Sequence, residues 1–113
     1  SYAQDQTIKK EDYSQSYLPF SEYDNCTFID CNFEGSNLSE VKFVDCTFEG
    51  CNLSLSKIAG TAFRSVTFSH CKMLGLRFDD CNDFGLDFSF RDCMLKHSSF
   101  FEMKLKKVVF KNN

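Results

Sequence analysis

Tryptophan is absent from this chain, proline occurs once, at Pro19, and there are only two histidines, His70 and His97. No apolar run approaches the roughly 18 to 20 residues that span a bilayer, so a transmembrane helix is excluded. Ser1 to Tyr17 is polar throughout and holds no apolar core of a signal peptide. No Gly-rich phosphate loop occurs. The formal charge of −3 speaks for solubility and against indiscriminate nucleic-acid binding. At 113 residues the chain is one domain at most.

What is abundant is phenylalanine, fourteen in all. The stretch Asn25 to Leu53 shows how it is used. A large apolar residue returns every five positions, at Phe28, Phe33, Leu38, Phe43, Phe48 and Leu53. Two places before each sits a small or β-branched residue: Cys26, Cys31, Ser36, Val41, Cys46 and Cys51. An α-helix needs apolar returns at three and four. A flat strand needs a period of two. Five fits neither, so the pattern is an internal repeat, and the fold it predicts is a solenoid. The large residue, here the centre, and the residue two before it both point inward. The other positions turn the chain, and four segments close a square coil of about twenty residues.

In this pattern of a small residue, a polar one, Leu or Phe, and two more, the chain resembles the pentapeptide-repeat proteins over about residues 20 to 113. That resemblance implies an all-β fold, a right-handed quadrilateral β-helix. Cysteine before the centre departs from the plainest pattern of the family but keeps its preference for small residues.

In chain order, residues 1–19 hold the repeat poorly. Ile8, Tyr13 and Leu18 are five apart, but Gln6 and Glu11 stand where small buried residues belong. This stretch is read as a lead-in or cap strand, and residues 20–113 as the β-helix. From Tyr23 to Phe78 twelve centres follow without interruption. Residues twenty apart should stack, giving a Phe28–Phe48–Phe68 ladder and a thiol column of Cys31, Cys51 and Cys71. Four of the five glycines fall two places after a centre, with Asn25, Asp30, Asp45 and Asp80 at the same phase. These residue types tolerate the positive φ of tight corners. The register breaks between Asp79 and Phe90. Phe84 is the natural centre there, six residues from both Phe78 and Phe90, so a bulge or small loop is expected. The repeat resumes at Phe90, Leu95, Phe100, Leu105 and Phe110, with Cys93, Ser98, Met103 and Val108 before them, for about four to five coils. The sequence stops in phase at Asn113, which points to a longer natural chain or to another chain over that end.

Seven cysteines raise the alternatives of zinc ligation and disulfides. Their placement two before a centre, interchanging with Ser, Thr and Val, favours packing as small buried hydrophobes. Free thiols in turn suit a reducing cytoplasm. Both histidines lie at outward corners with no visible orienting partner, and no catalytic acid–base pair is apparent among Glu34, Glu40, Asp45 and Glu49. The chain is therefore read as no enzyme, with no cofactor and no metal site. Lys104, Lys106, Lys107 and Lys111 form a solvated basic group, with Phe101 as the outward aromatic nearby. Direct nucleic-acid contact is not expected.

Two functions compete. One is a binding or scaffold module that meets a protein partner through the solenoid surface, with end-to-end homodimers as its simplest self-association. The break at Asp83, Phe84, Gly85, Leu86 and Asp87 is its candidate contact loop, because insertions in solenoids map to loops on one face; at least one of Phe84 and Leu86 is then expected partly outside, and the alternative is a bulge that merely corrects the register. The other comes from the resemblance. Some members of the family mimic B-DNA, bind type II topoisomerases such as DNA gyrase, and confer fluoroquinolone or microcin resistance. Charge weighs against that here. Coils about 4.8 Å apart would span about 22 Å, over which duplex DNA carries roughly 13 charges. The chain carries −3, with residues 1–60 at about −6 and 61–113 at about +3.

Overall fold

A computed structural model describes residues 1–105 and 109–113. Lys106 and Lys107 of the expected basic group, and Val108 of the expected repeat, lie outside the described residues. The ordered segments are β1 (Tyr2–Gln4), β2 (Thr7–Lys9), β3 (Glu22–Asp24), β4 (Thr27–Ile29), β5 (Lys42–Val44) and β6 (Thr47–Glu49), followed by β7 (Ala62–Ser69), a 3₁₀ turn at Phe78–Asp80, β8 (Asn82–Arg91) and β9 (Val109–Lys111). All pairing is parallel. One face stacks β1, β3, β5, β7 and the start of β8; the next stacks β2, β4, β6, the end of β7, β8 and β9. The other two faces are held by single bridges, such as Asn32 to Asn52 and Asn37 to Lys57. The result is a four-sided β-solenoid of about five coils.

The register follows from the repeat. Partners stand twenty residues apart as far as Ala62 and Asn82, and then twenty-two apart from Thr67 and Ser89 to Arg77 and Ser99. The stacking reaches back to Tyr2, since Tyr2 pairs with Glu22 and Thr7 with Thr27. Gln6 and Glu11 are tolerated in this first coil because both remain exposed there.

All twelve centres from Tyr23 to Phe78 are buried. Phe28, Phe48, Phe68, Phe90 and Phe110 form one column, with ring centroids 4.9, 5.0, 5.3 and 5.3 Å apart and planes within 20°. Tyr23, Phe43 and Phe63 form a second at 5.6 and 5.8 Å. Adjacent columns meet edge to face, as at Phe43 and Phe48. Both geometries are the ones that aromatic quadrupoles favour.

The residue two before each centre does more than pack. Where it is Cys, Ser or Thr, its side chain donates to a backbone carbonyl of the preceding coil, most often that of a centre. Cys46 reaches Tyr23, Cys51 reaches Phe28, Cys71 reaches Phe48 and Cys93 reaches Phe68, all at 3.3–3.4 Å. Ser56, Thr61 and Ser98 bond the carbonyls of Phe33, Leu38 and Met73 at 2.7–2.8 Å. A carbonyl has two lone pairs, so it accepts this bond beside its other partners. This is why Cys, Ser and Thr interchange at the position. The seven thiols are free; six are buried and Cys81 is half-buried. Cys81 differs because the residue two beyond it, Asp83, is exposed and is no centre.

Corners adopt positive φ as expected, at Asn25, Asp30, Asp45 and His70 among others. Asp80 is an exception: it lies in the 3₁₀ turn and does not take positive φ. Leu55, Glu40 and Lys10 do take it, so the backbone angle alone does not explain the glycines. At Gly50 the side chain of Asp30, one coil earlier, occupies the place a Cβ would fill. Gly60 is filled in the same way by Glu40.

Candidate functional site

The two extra residues of the fifth coil fall in β8, with register shifts opposite Arg64. The expectation that Phe84 is the buried centre is wrong. Phe84 is 74% exposed, and Phe88 is buried. Phe88 pairs with Val66, at the position two before a centre, yet its ring lies 5.8 Å from Phe63 and 5.3 Å from Phe78. A large ring at the small-residue position thus fills the place the missing centre leaves. With the core supplied from Phe88, the segment 83–87 is free to project. Leu86 stays partly buried against the core, while Asp83 and Gly85 are exposed and Asp87 is half-buried.

The projecting segment is held in one shape. The Phe84 N–H donates to Asn82 Oδ1 at 2.9 Å. Arg64 Nε, from the preceding coil, donates to the Phe84 carbonyl at 3.2 Å. The Arg64 guanidinium carbon lies 5.1 Å from the Phe84 ring centroid, in cation–π contact. Gly85 has φ +64, and its missing Cβ leaves room for the Arg64 stem. An exposed aromatic is therefore fixed at both backbone polar groups and on one ring face.

Beside the loop runs an open groove of about 930 Å³, lined by Cys81, Leu86, Met103 and the acids Asp79, Asp83 and Glu102 among others. Arg77 grips Asp79 with two hydrogen bonds of 2.8 and 3.2 Å and holds its carboxyl below the usual range. Phe101, across the groove, is exposed. Elsewhere on the surface Tyr2, Tyr17 and Phe84 are exposed as well. In the basic group, Lys104 and Lys111 are exposed.

His70 does have partners, contrary to the reading of its sequence context. Its Nδ1 lies 3.2 Å from Glu49 and its Nε2 3.3 Å from Asp92. These carboxylates come from the coils on either side, a juxtaposition that needs the coil register and is invisible in local sequence. Glu34, Glu40 and Asp45 lie on the surface or at corners. Among the described residues no group of three or more His, Cys, Asp or Glu side chains is placed to hold a metal ion. Among the described residues no helix is long and apolar enough to cross a membrane.

Full-length QnrB1, a plasmid-mediated fluoroquinolone resistance protein, superposes with a TM-score of 0.64 at 22% identity, over 95% of this chain and 52% of that one. Two trypsin-treated variants of QnrB1 match with TM-scores of 0.44 at 18% and 16% identity, over 88% and 90% of this chain and 58% and 59% of theirs. The chain thus spans about half the length of full-length QnrB1. Among curated proteins none matches. A family model described as a pentapeptide repeat region matches residues 21–84. With that match over the buried five-residue repeat, the chain belongs to the pentapeptide-repeat family.

Proposed function

We propose that this chain is a non-enzymatic binding module that meets a protein partner through the segment 83–87. The observation that supports this is Phe84, a large apolar side chain left in solvent while the backbone around it is fixed. The interior place is already filled by Phe88, so a bulge that only corrected register would need no large apolar side chain at 84, where a polar one would sit in water without exposing apolar surface. Pre-organised aromatics lose little freedom on binding and are enriched among the residues that dominate interfaces.

The test is site-specific photo-crosslinking. Benzoylphenylalanine at Phe84 should give a discrete adduct in cells that express the protein, and the same group at the exposed Lys9, in β2 of the first coil, should not. Equal labelling from both positions, or none from Phe84, sinks the reading. Simple removal of two residues is the poorer probe. It would place Asp83 at a centre or set Phe84 and Phe88 in competition for one space.

A type II topoisomerase is the second reading, favoured by the shared fold with a resistance protein. Charge remains against DNA mimicry. Duplex DNA as long as the 31 Å longest dimension carries roughly 18 charges, against −3 here. Gyrase supercoiling with and without a quinolone decides this reading. If the protein alters neither condition, topoisomerase binding is excluded for this chain and the partner is another protein.

A further inference from the structure

The shape and charge around Phe84 narrow the kind of partner, given that 83–87 is the contact segment. The ring is a knob and not part of a cleft, because it is 74% exposed and projects from a bulge. One of its faces is covered by Arg64, with the guanidinium 5.1 Å from the centroid. The other face and the ring edge remain open. Asp83 and Asp87 flank the ring in sequence, and Asp87 pairs with Arg64 in the sheet ladder. Arg64 already spends its Nε on the Phe84 carbonyl and its planar face on the ring. It therefore acts as a brace for the knob.

We propose that the knob fits a concave apolar pocket, about one benzyl ring across, whose rim is cationic, and that Arg64 is the positioning residue that keeps it ready to enter. A flat or anionic surface would leave the ring in water or set carboxylate against carboxylate. A pocket with a basic rim buries the ring and meets Asp83 and Asp87 with opposite charge. Because the brace comes from the preceding coil, the loop is shaped before any partner arrives.

Ring-sized hosts test this without the natural partner. Three β-cyclodextrins, bearing amino, hydroxyl or carboxylate groups on the rim, are titrated against the whole chain by NMR, following the Phe84 ring protons. The amino host should bind best and the carboxylate host worst. The gap should be about tenfold at low ionic strength and narrow as salt screens it. Phe84→Ala should abolish the Phe84-dependent shifts, while Tyr17→Ala, which removes another exposed ring, should leave binding intact. Arg64→Ala should weaken the amino host about two- to tenfold, the range for ordering one more side chain, and speed amide exchange at Phe84 and Gly85 but not at Phe48. Equal binding of the three hosts overturns the cationic rim. Unchanged exchange in Arg64→Ala overturns the brace. Host binding that follows this order while Phe84 crosslinks nothing in cells would keep the knob's chemistry and defeat its use as a contact. Crosslinking at Phe84 with no host preference would do the reverse.

Discussion

The thiols show most clearly how a single position is specified. At most of the places two before a centre the side chain is small enough for the interior, and where it is polar it also reaches a carbonyl one coil away. Cysteine meets both demands and adds polarizable packing. Burial pushes the Cys46 thiol up to about 12 and the Cys81 thiol up to about 11. Hydrogen bonding with Cys51 and Cys93, together with burial, raises Cys71. The consequence has a definite sign. Unfolded thiols ionise near the ordinary 9.0, before folded Cys46 and Cys81. The contribution of these two thiols is therefore level below about pH 9 and is lost as pH rises from there toward about 12. Urea midpoints at pH 7.5, 9 and 10.5 should be level and then fall; a level curve to 10.5 would contradict the burial. A thiol-specific chromophore at neutral pH should find no more than one fast-reacting cysteine in the native protein, Cys81, and all seven in urea.

At the scale of the strand, β8 departs from its neighbours, and the departure is a division of labour between two phenylalanines. Phe88 serves the core from a position that elsewhere holds Val or Cys, and Phe84 is released outward. Phe88→Ala should cost about 3–5 kcal/mol, as loss of a buried Phe does. Phe84→Ala should change stability by less than about 0.5 kcal/mol. Chemical denaturation separates the two. Comparable losses would mean that Phe84 packs inward in solution and that the projecting loop is not its resting state. The repeat break itself was legible, because the five-residue period fails visibly between Asp79 and Phe90. The choice of ring was not. Phe84 and Phe88 are equally apolar, and only the register of β8 against β7 places Phe88 beside Phe63.

For the whole molecule, a solenoid transmits its stability from coil to coil, so a position's worth depends on its level in the stack. Phe48 has stacked rings both below and above, at 4.9 and 5.0 Å. Phe110, at the last level, is 46% exposed. Phe48→Ala should therefore cost about 3–5 kcal/mol, and Phe110→Ala no more than about 1 kcal/mol, by the area still open to water. A loss at Phe48 under about 1 kcal/mol would show that the column is not the core.

The period of five, read from the sequence alone, was enough for the solenoid, the inward centres, the buried cysteines and most of the corners. Each depends on residues a few places apart, and the same local demand recurs at every turn. The period also gave the stacking of like positions, as in the Phe28, Phe48 and Phe68 column, but not the polar contacts between coils. Glu49 and Asp92 around His70, Asp30 over Gly50, Cys51 on the Phe28 carbonyl and Arg64 beneath Phe84 join residues some twenty places apart. Which of them meet depends on the stacking register and on the two residues added in β8. A repeat pattern specifies what each turn must bury. It does not specify which polar side chains of neighbouring turns will meet, or where an added residue shifts the stack, because those are settled by closure of the coils in three dimensions.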